Sequence, residues 1–350
     1  MLLFFVYLIK THESIITMNT FGHTLKLSIF GESHGPVIGI TIDGCPAGLK
    51  IENSEFNTDL ARRKSGKIGT TPRKELDQPE IVSGVYKSYS TGAPITILFK
   101  NKNVKSKDYD TFKRMPRPGH ADFTAYKKYN GFNDHRGGGH FSGRVTLGLV
   151  AAGVIAKKLI FPLFVNAELT EAGGDKNIER AIEKALKDND TIGGIIECKS
   201  ENVPVGLGEP YFNKIQAVIS HLVMSIPAIK GIEFGAGFQS AQMTGSEHND
   251  LIIDPQGRTE TNNAGGINGG ITNGNDLIFR VPVKPTSSTP KKQRTLNLEK
   301  GQIEELEVKG RHDACIALRI PVIIEAVTAF ALADFMLQEQ RIPKTYENRT

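Results

Sequence analysis

Between Gly119 and Arg144 the chain reads GHADFTAYKKYNGFNDHRGGGHFSGR. The span sets His120, Asp122, His135, Arg136, His140 and Arg144 around three successive glycines and leaves few apolar residues for a core. Imidazoles titrate near neutrality and can pass protons, and guanidinium forks grip carboxylates and phosphates. Gly137, Gly138 and Gly139 have no Cβ, so the backbone there can take φ > 0 and turn N–H donors toward an anion. An anionic, planar partner suits that set of groups; a plain glycine turn between solvated histidines is the alternative.

Other segments carry groups of the same kind. Gly31-Glu32-Ser33-His34-Gly35 sets an acid, a hydroxyl and an imidazole in a glycine-bracketed turn, facing either a ligand or water. Arg62, Arg63, Lys64, Lys67, Arg73 and Lys74 form a basic run broken by Ser65-Gly66 and Thr70-Thr71-Pro72, hence a loop. It is either a solvated face or a clamp for a substrate with several negative charges. Lys284-Pro285-Thr286-Ser287-Ser288 brings an ammonium and hydroxyls to a strand end, as a phosphate cup or an ordinary Ser/Thr turn. Gly310-Arg311-His312-Asp313-Ala314-Cys315 is a further cluster, and the glycine-rich loop TNNAGGINGGITNG, Thr261 to Gly274, either cradles a ligand or is only a loop.

Several standard sites are missing from the sequence. It contains no GxxxxGK[ST] and no GxGxxG after a strand, which argues against a P-loop and a dinucleotide fold. HExxH is absent as well, and His135 and His140 are spaced five apart, so no metal site is expected.

The elements that must position these groups follow from hydrophobic period. Leu25, Leu27 and Ile29 alternate with Lys26 and Ser28, predicting a strand that runs into the Glu-Ser-His turn, and Val37 to Ile42 predicts the next. Asn53 or Ser54 can cap a helix through Lys64, with Phe56 and Leu60 on one face. Ile81 to Lys100 reads as two or three short strands. Val145 to Ile160 predicts a buried helix whose Gly148, Ala151, Ala152, Gly153 and Ala156 admit close neighbours. Lys176 to Lys187 predicts an amphipathic helix on Ile178, Ile182 and Leu186, and Gln216 to Ile226 another, stopped by Pro227. Leu277 to Val283 is a strand, and Val322 to Leu337, apolar nearly all round, is a core helix. The mixture predicts an α+β protein with mostly antiparallel strands.

Of 350 residues, 39% are hydrophobic, enough for a packed core, and no repeat or linker divides the chain. We expect a single domain over 18–350, with 1–17 an extension outside it. Leu2 to Ile9 is too short to span a bilayer and lacks the flanks of a cleaved signal. The net charge of +5 suits a small anion better than a nucleic-acid groove. Cys45, Cys198 and Cys315 are odd in number and far apart, which points to core thiols in a reducing, cytoplasmic setting without membrane or nucleic-acid partners.

From about Thr20 to Leu337 these segments, in order, resemble the chorismate synthases. The likeness rests on FGESHG (Phe30 to Gly35), DGCPAGL (Asp43 to Leu49), the Arg62-Arg63 loop, RPGHADFT (Arg117 to Thr124), RGGG, VAAGVIAKK, SIPAIKGIEFG, NNAGGINGG, KPTSS and GRHD. The resemblance implies a lyase that converts 5-enolpyruvylshikimate 3-phosphate to chorismate by an anti-1,4 elimination, requiring reduced FMN without net oxidation. It implies a β-α-β sandwich, helices packed between antiparallel sheets, assembled as a homotetramer with FMN near subunit contacts.

By position, the resemblance makes His34 the donor to the departing phosphate and His120 the group beside the flavin. Asp313, helped by Ser33, becomes the proton acceptor, kept ionised by Arg311 and His312. It sets Arg62, Arg63 and Arg144 on substrate anions, Arg63 alternatively on a nicotinamide nucleotide. FMN would be held by His140, Phe141, Ser142, Ala228, Gly269, Lys284, Pro285, Thr286, Ser287, Ser288 and Arg311. Where the family usually has Arg-Ser-Ser-Ala-Arg after the triple glycine, this chain has His140-Phe141-Ser142-Gly143-Arg144, and Ala314 replaces the usual Pro. The rival readings are an NADPH-dependent flavin reductase, an activity some fungal relatives combine with the lyase, and a non-enzymatic protein that binds polyanions or RNA.

Overall fold

The computed structural model describes residues 19–71, 76–102, 109–308, 310 and 312–347. The expected extension 1–17, Arg311, and Arg73 and Lys74 of the basic loop lie outside the described residues.

The alternating strands form as the sequence predicts. A first antiparallel sheet contains β1 (Thr20–Phe21), β2 (Lys26–Gly31), β3 (Val37–Asp43), β4 (Glu80–Ser83) and, beyond a small hairpin of β5 (Val85–Tyr86) and β6 (Tyr89–Ser90), β7 (Ile95–Lys100). Its order is β1-β2-β3-β7-β4, and register pairs Ile29 with Ile40 and Ile40 with Ile97. Ile38, Ile40 and Ile42 of β3 and Ile95, Ile97 and Phe99 of β7 are buried on one face. A second sheet joins β8 (Phe164–Ala172), β9 (Gly194–Glu201), β10 (Glu233–Phe234) and, past the hairpin β11 (Ile267–Asn268) and β12 (Ile271–Thr272), β13 (Leu277–Val283). Here Phe279 pairs with Cys198 and Val281 with Ile196, all buried. A separate hairpin, β14 (Gln293–Asn297) and β15 (Gln302–Leu306), follows.

The longer helices are α1 (Asn57–Arg63), α2 (Asp122–Lys128), α3 (Thr146–Ile160), α4 (Ile178–Lys187), α5 (Ile215–Met224) and α6 (Pro321–Gln338). α3 lies on β2 and β3, α6 lies on β8 and β9, and the two helices pack on each other between the sheets. The small residues of α3 are what permit this. A Cβ on Gly153 would stand 2.3 Å from Cβ of Ala326, and one on Gly148 would stand 2.6 Å from Cγ2 of Ile40. The expected sandwich of helices between antiparallel sheets is therefore the observed architecture.

α6 is long and apolar enough to cross a membrane by composition, yet 78% of it is buried within the fold. Two buried carboxylates fix it there. Asp334 accepts hydrogen bonds from the backbone N–H groups of His23 (2.9 Å), Thr24 (2.8 Å) and Leu25 (2.8 Å). Glu325 accepts a fork from Arg62 (2.6 and 2.7 Å), an ammonium from Lys157 (2.7 Å) and the N–H of Ala167 (3.0 Å). Burial alone would raise the Glu325 carboxyl, but these donors outweigh it and hold the group below the ordinary range.

Some expectations are revised. The helical stretch after Leu49 begins as a 3₁₀ turn over Asn53–Phe56 and is capped at Glu52, whose N–H donates to the Glu55 carboxylate (2.7 Å). α4 buries Ala181, Ile182 and Ala185, leaving Leu186 exposed, because the contact stripe is rotated toward small residues. Strands β8, β9, β14 and β15 were not expected from the pattern. The cysteines are buried free thiols as expected, and burial pushes Cys45 up to about 12 and raises Cys198 and Cys315.

Candidate active site

The turn after β2 turns back under the glycine run. Ser33 N–H donates to Gly139 O (3.0 Å), and both Ser33 and His34 are buried. Gly137, Gly138 and Gly139 take φ of 60°, 81° and 55°, the conformation that residues without a side chain adopt freely. Their first service is room: a Cβ on Gly137 would meet His34 Cδ2 at 2.5 Å, and one on Gly139 would meet Asp134 O at 2.0 Å. The N–H of Gly138 is spent on His135 O (3.2 Å). The ring of His34 is further held edge-on against Tyr109, centroids 5.0 Å apart.

His120 precedes α2 and sits in a clamp. Its Nδ1 is 2.7 Å from Oδ1 of Asp122, which also receives Arg117 through Nε (2.8 Å) and Nη2 (2.8 Å). Arg117 donates from Nη1 to Ser288 Oγ (2.9 Å) and lies 4.4 Å over the Phe112 ring. Burial works to raise the Asp122 carboxyl, but Arg117 and His120 together hold it well below the usual carboxylate range.

Asp313 accepts the N–H of Thr71 (2.8 Å) and the guanidinium of Arg319 (3.0 Å). Its observed cationic partner is thus Arg319, from the 3₁₀ turn before α6. Arg63 is buried and donates to Gly143 O (2.7 Å) and Thr146 Oγ1 (3.1 Å), with no carboxylate paired to it among the described residues. Burial, reinforced by Arg319, pushes its guanidinium down to about 9. Arg144 pairs with Asp77 through Nη1 and with Asn101 Oδ1 through Nε (3.1 Å), while its buried Nη2 has no hydrogen-bond partner among the described residues.

Lys284 donates to Gly119 O (3.1 Å) and to Ser287 Oγ, tying the Lys-Pro-Thr-Ser-Ser segment to the loop that carries His120. Burial, then the neighbouring charge of Lys230, holds its ammonium below the ordinary lysine value. The buried Thr286 Oγ1 also lacks a hydrogen-bond partner among the described residues. Ala228, whose carbonyl accepts the Lys284 N–H (2.9 Å), is held at φ 76°, a strained value for a residue with a side chain.

These groups line one cavity of about 1410 Å³. Ser33, His34, Arg63, His120, His140, Phe141, Ser142, Arg144, Ala228, Lys284, Pro285, Thr286, Ser287, Ser288 and Asp313 are all on its wall. Arg62 is not, because Glu325 and Asp59 hold it on the far side of α1. Gly269 is not either, since it lies in the β11–β12 turn. His140 reaches the wall but places Nδ1 against Gly31 O (2.8 Å) and Nε2 against Asn19 Oδ1 (3.1 Å). Arg63, Lys64, Arg117, Arg144, Lys284 and Arg319 face only Asp77 and Asp313 among the described lining residues, so the cavity attracts anions. Tyr109, Arg319 and Asp77 carry no motif that would have singled them out, whereas Arg117 and Asp122 sit inside RPGHADFT, where an Arg, a His and an Asp within six positions are signal enough.

The chain is similar to known proteins over nearly all its length. The family profile described as chorismate synthase matches residues 25–337. A chorismate synthase of Chitinophaga pinensis is 59% identical over 332 residues, covering 95% of this chain and 100% of that protein. One of Archaeoglobus fulgidus is 43% identical over 359 residues, covering 94% and 99%. A solved structure titled "Crystal Structure of Chorismate Synthase" superposes with a TM-score of 0.69 at 25% identity, over 91% of this chain and 93% of that one.

Proposed function

Because the chain belongs to the chorismate synthase family and is a lyase of that type, we propose that it eliminates phosphate from 5-enolpyruvylshikimate 3-phosphate to give chorismate, with reduced FMN bound in the same cavity. The observation that carries this reading is the convergence of His34, His120 and Asp313 on a single cavity with an excess of cations.

The donor set fits both anions. The ammonium of Lys284 and the hydroxyl of Ser288, whose oxygen accepts from Arg117, supply donors for a phosphate, and Arg144 Nη2 and Thr286 Oγ1, without a hydrogen-bond partner among the described residues, are buried donors that a polar ligand satisfies. When bound, reduced FMN supplies the electron density that makes the allylic phosphate a better leaving group. Ser142, Phe141, Ala228 and Lys284 to Ser288 would hold it, with Arg311 added. The His140 ring nitrogens are already taken up, so residue 140 serves through its backbone. Gly269, away from the cavity of its own chain, fits a contribution across a subunit contact in the homotetramer we propose.

Arg63 and Arg144 bind substrate anions and orient the ring. His34, shielded from water by Tyr109 and the glycine run, gives a proton to the departing phosphate oxygen. Asp313, held by the guanidinium of Arg319, takes up the proton released from C6, with Ser33 beside His34 in the same wall. His120 stands beside the cofactor with its Nε2 edge open to the cavity. We place the enzyme in the cytoplasm, supplied with reduced flavin from outside.

The test is anaerobic phosphate release with dithionite-reduced FMN. Wild type should turn over, and His34→Ala, His120→Ala and Asp313→Ala should each lose on the order of 10²-fold or more with the fold retained. Full activity in all three would overturn the assignment, and turnover supported by NADPH alone would overturn the external supply of reductant.

A further inference from the structure

Two groups make opposite demands on one ring nitrogen. Nδ1 of His120 lies 2.7 Å from a carboxylate oxygen of Asp122, which only accepts hydrogen bonds, and 3.1 Å from Nη2 of Arg117, which only donates them. Nδ1 can satisfy one neighbour, by carrying the proton or by lacking it. The carboxylate contact is the shorter and is charge-assisted, and the same Nη2 already has Asp122 Oδ1 at 2.8 Å. The proton therefore belongs on Nδ1.

We propose that Asp122 is a positioning residue, one that fixes His120 in the Nδ1–H form so that Nε2 is the atom presented to the reaction. The clamp is built for this. The Asp122 side chain is 7% exposed and that of Arg117 5%, whereas His120 keeps 23% of its side chain open. Both carboxylate oxygens are held, one by Arg117 Nε (2.8 Å) and its backbone N–H (3.1 Å), the other by Arg117 Nη2, so the carboxylate cannot rotate away from the imidazole. Arg117 is itself locked by Ser288 and by the Phe112 ring. Across the ring, Gly138 stands beside the Cε1–Nε2 edge, where a Cβ would make ordinary van der Waals contact at 3.4 and 3.6 Å.

The geometry also dictates what an amide would do in the same place. The guanidinium of Arg117 would take the amide oxygen of Asp122→Asn, which turns the NH₂ toward Nδ1. The ring then has to accept at Nδ1 and carry its proton on Nε2, the opposite tautomer, without loss of shape.

Nitrogen-15 spectra of histidine-labelled protein read this directly. The chain has nine histidines, and the His120 signal is identified by its loss in His120→Gln. The expected result is an Nδ1–H pattern in wild type and an Nε2–H pattern in Asp122→Asn. An Nε2–H pattern in wild type, or no change in the variant, overturns the proposal; should the variant not fold, the wild-type spectrum decides alone. The kinetic arm rests on the function proposed above: Asp122→Asn should lower kcat by on the order of 10²- to 10⁴-fold with KM little changed, and Asp122→Glu should recover part of it. An unaltered kcat in a variant whose tautomer has switched would leave the clamp intact and remove His120 from the reaction.

Discussion

Gly137 and His34 meet across a gap that a single methyl group would close: a Cβ on residue 137 would lie 2.5 Å from His34 Cδ2 and 2.8 Å from Ser33 Oγ. Residue 137 also sits at φ 60°. Gly137→Ala should therefore displace the imidazole and strain the backbone together, with activity down on the order of 10²-fold. Gly245→Ala, away from the cavity and with nothing within 4 Å of its new Cβ, should leave phosphate release unchanged. Equal rates for the two variants would show that the glycine run does not position His34.

Arg144 offers the cavity a buried Nη2 with no described partner. Arg144→Ala should weaken substrate binding by roughly 10- to 100-fold, since a hydrogen bond to a charged group contributes about 1.5–3 kcal/mol. Titration calorimetry on the FMN-loaded protein reads this, and unchanged affinity would place the substrate anions elsewhere.

Glu325 sets the acid limit of the core. Its folded carboxyl lies below the ordinary value of about 4.3, so its contribution to stability is complete above that pH and is lost as pH falls through the lower folded value. Urea midpoints should fall below pH 4 in wild type and flatten in that window in Glu325→Gln. At neutral pH Glu325→Ala should cost about 1–3 kcal/mol, because the buried Ala167 N–H loses its acceptor while Arg62 and Lys157, partly exposed, keep Asp59.

All three thiols are buried, and burial raises each above its ordinary value. Iodoacetamide under native conditions should add no mass and leave activity intact. A labelled Cys315, two residues from Asp313, would mean that this wall of the cavity opens.

Elements whose period reports their burial were legible in the sequence, and so were site residues that fall inside short motifs. β3 and α6 show this, with Ile38, Ile40 and Ile42 on one face and a helix apolar all round. β8 was hidden because its residues are mostly half-exposed and Glu and Asn interrupt the pattern, and β14 and β15 form an isolated hairpin with little core to declare it. In the site, Ser33, His34, His120 and the Lys284 to Ser288 run were readable from local spacing. Arg319 was not, since what pairs it with Asp313 is the fold of the turn before α6. Arg62 stands beside Arg63 in the chain, yet the roughly 100° step between adjacent helical residues sends it to Glu325 and its neighbour to the cavity.

Asp334 fastens the amides of His23, Thr24 and Leu25 across more than 300 intervening residues. During synthesis the opening strands leave the ribosome long before the carboxylate that secures them, and until then those N–H groups have only water as a partner. A chain halted before α6 is thus not a smaller enzyme but an unfastened sheet, a natural substrate for chaperones and proteases.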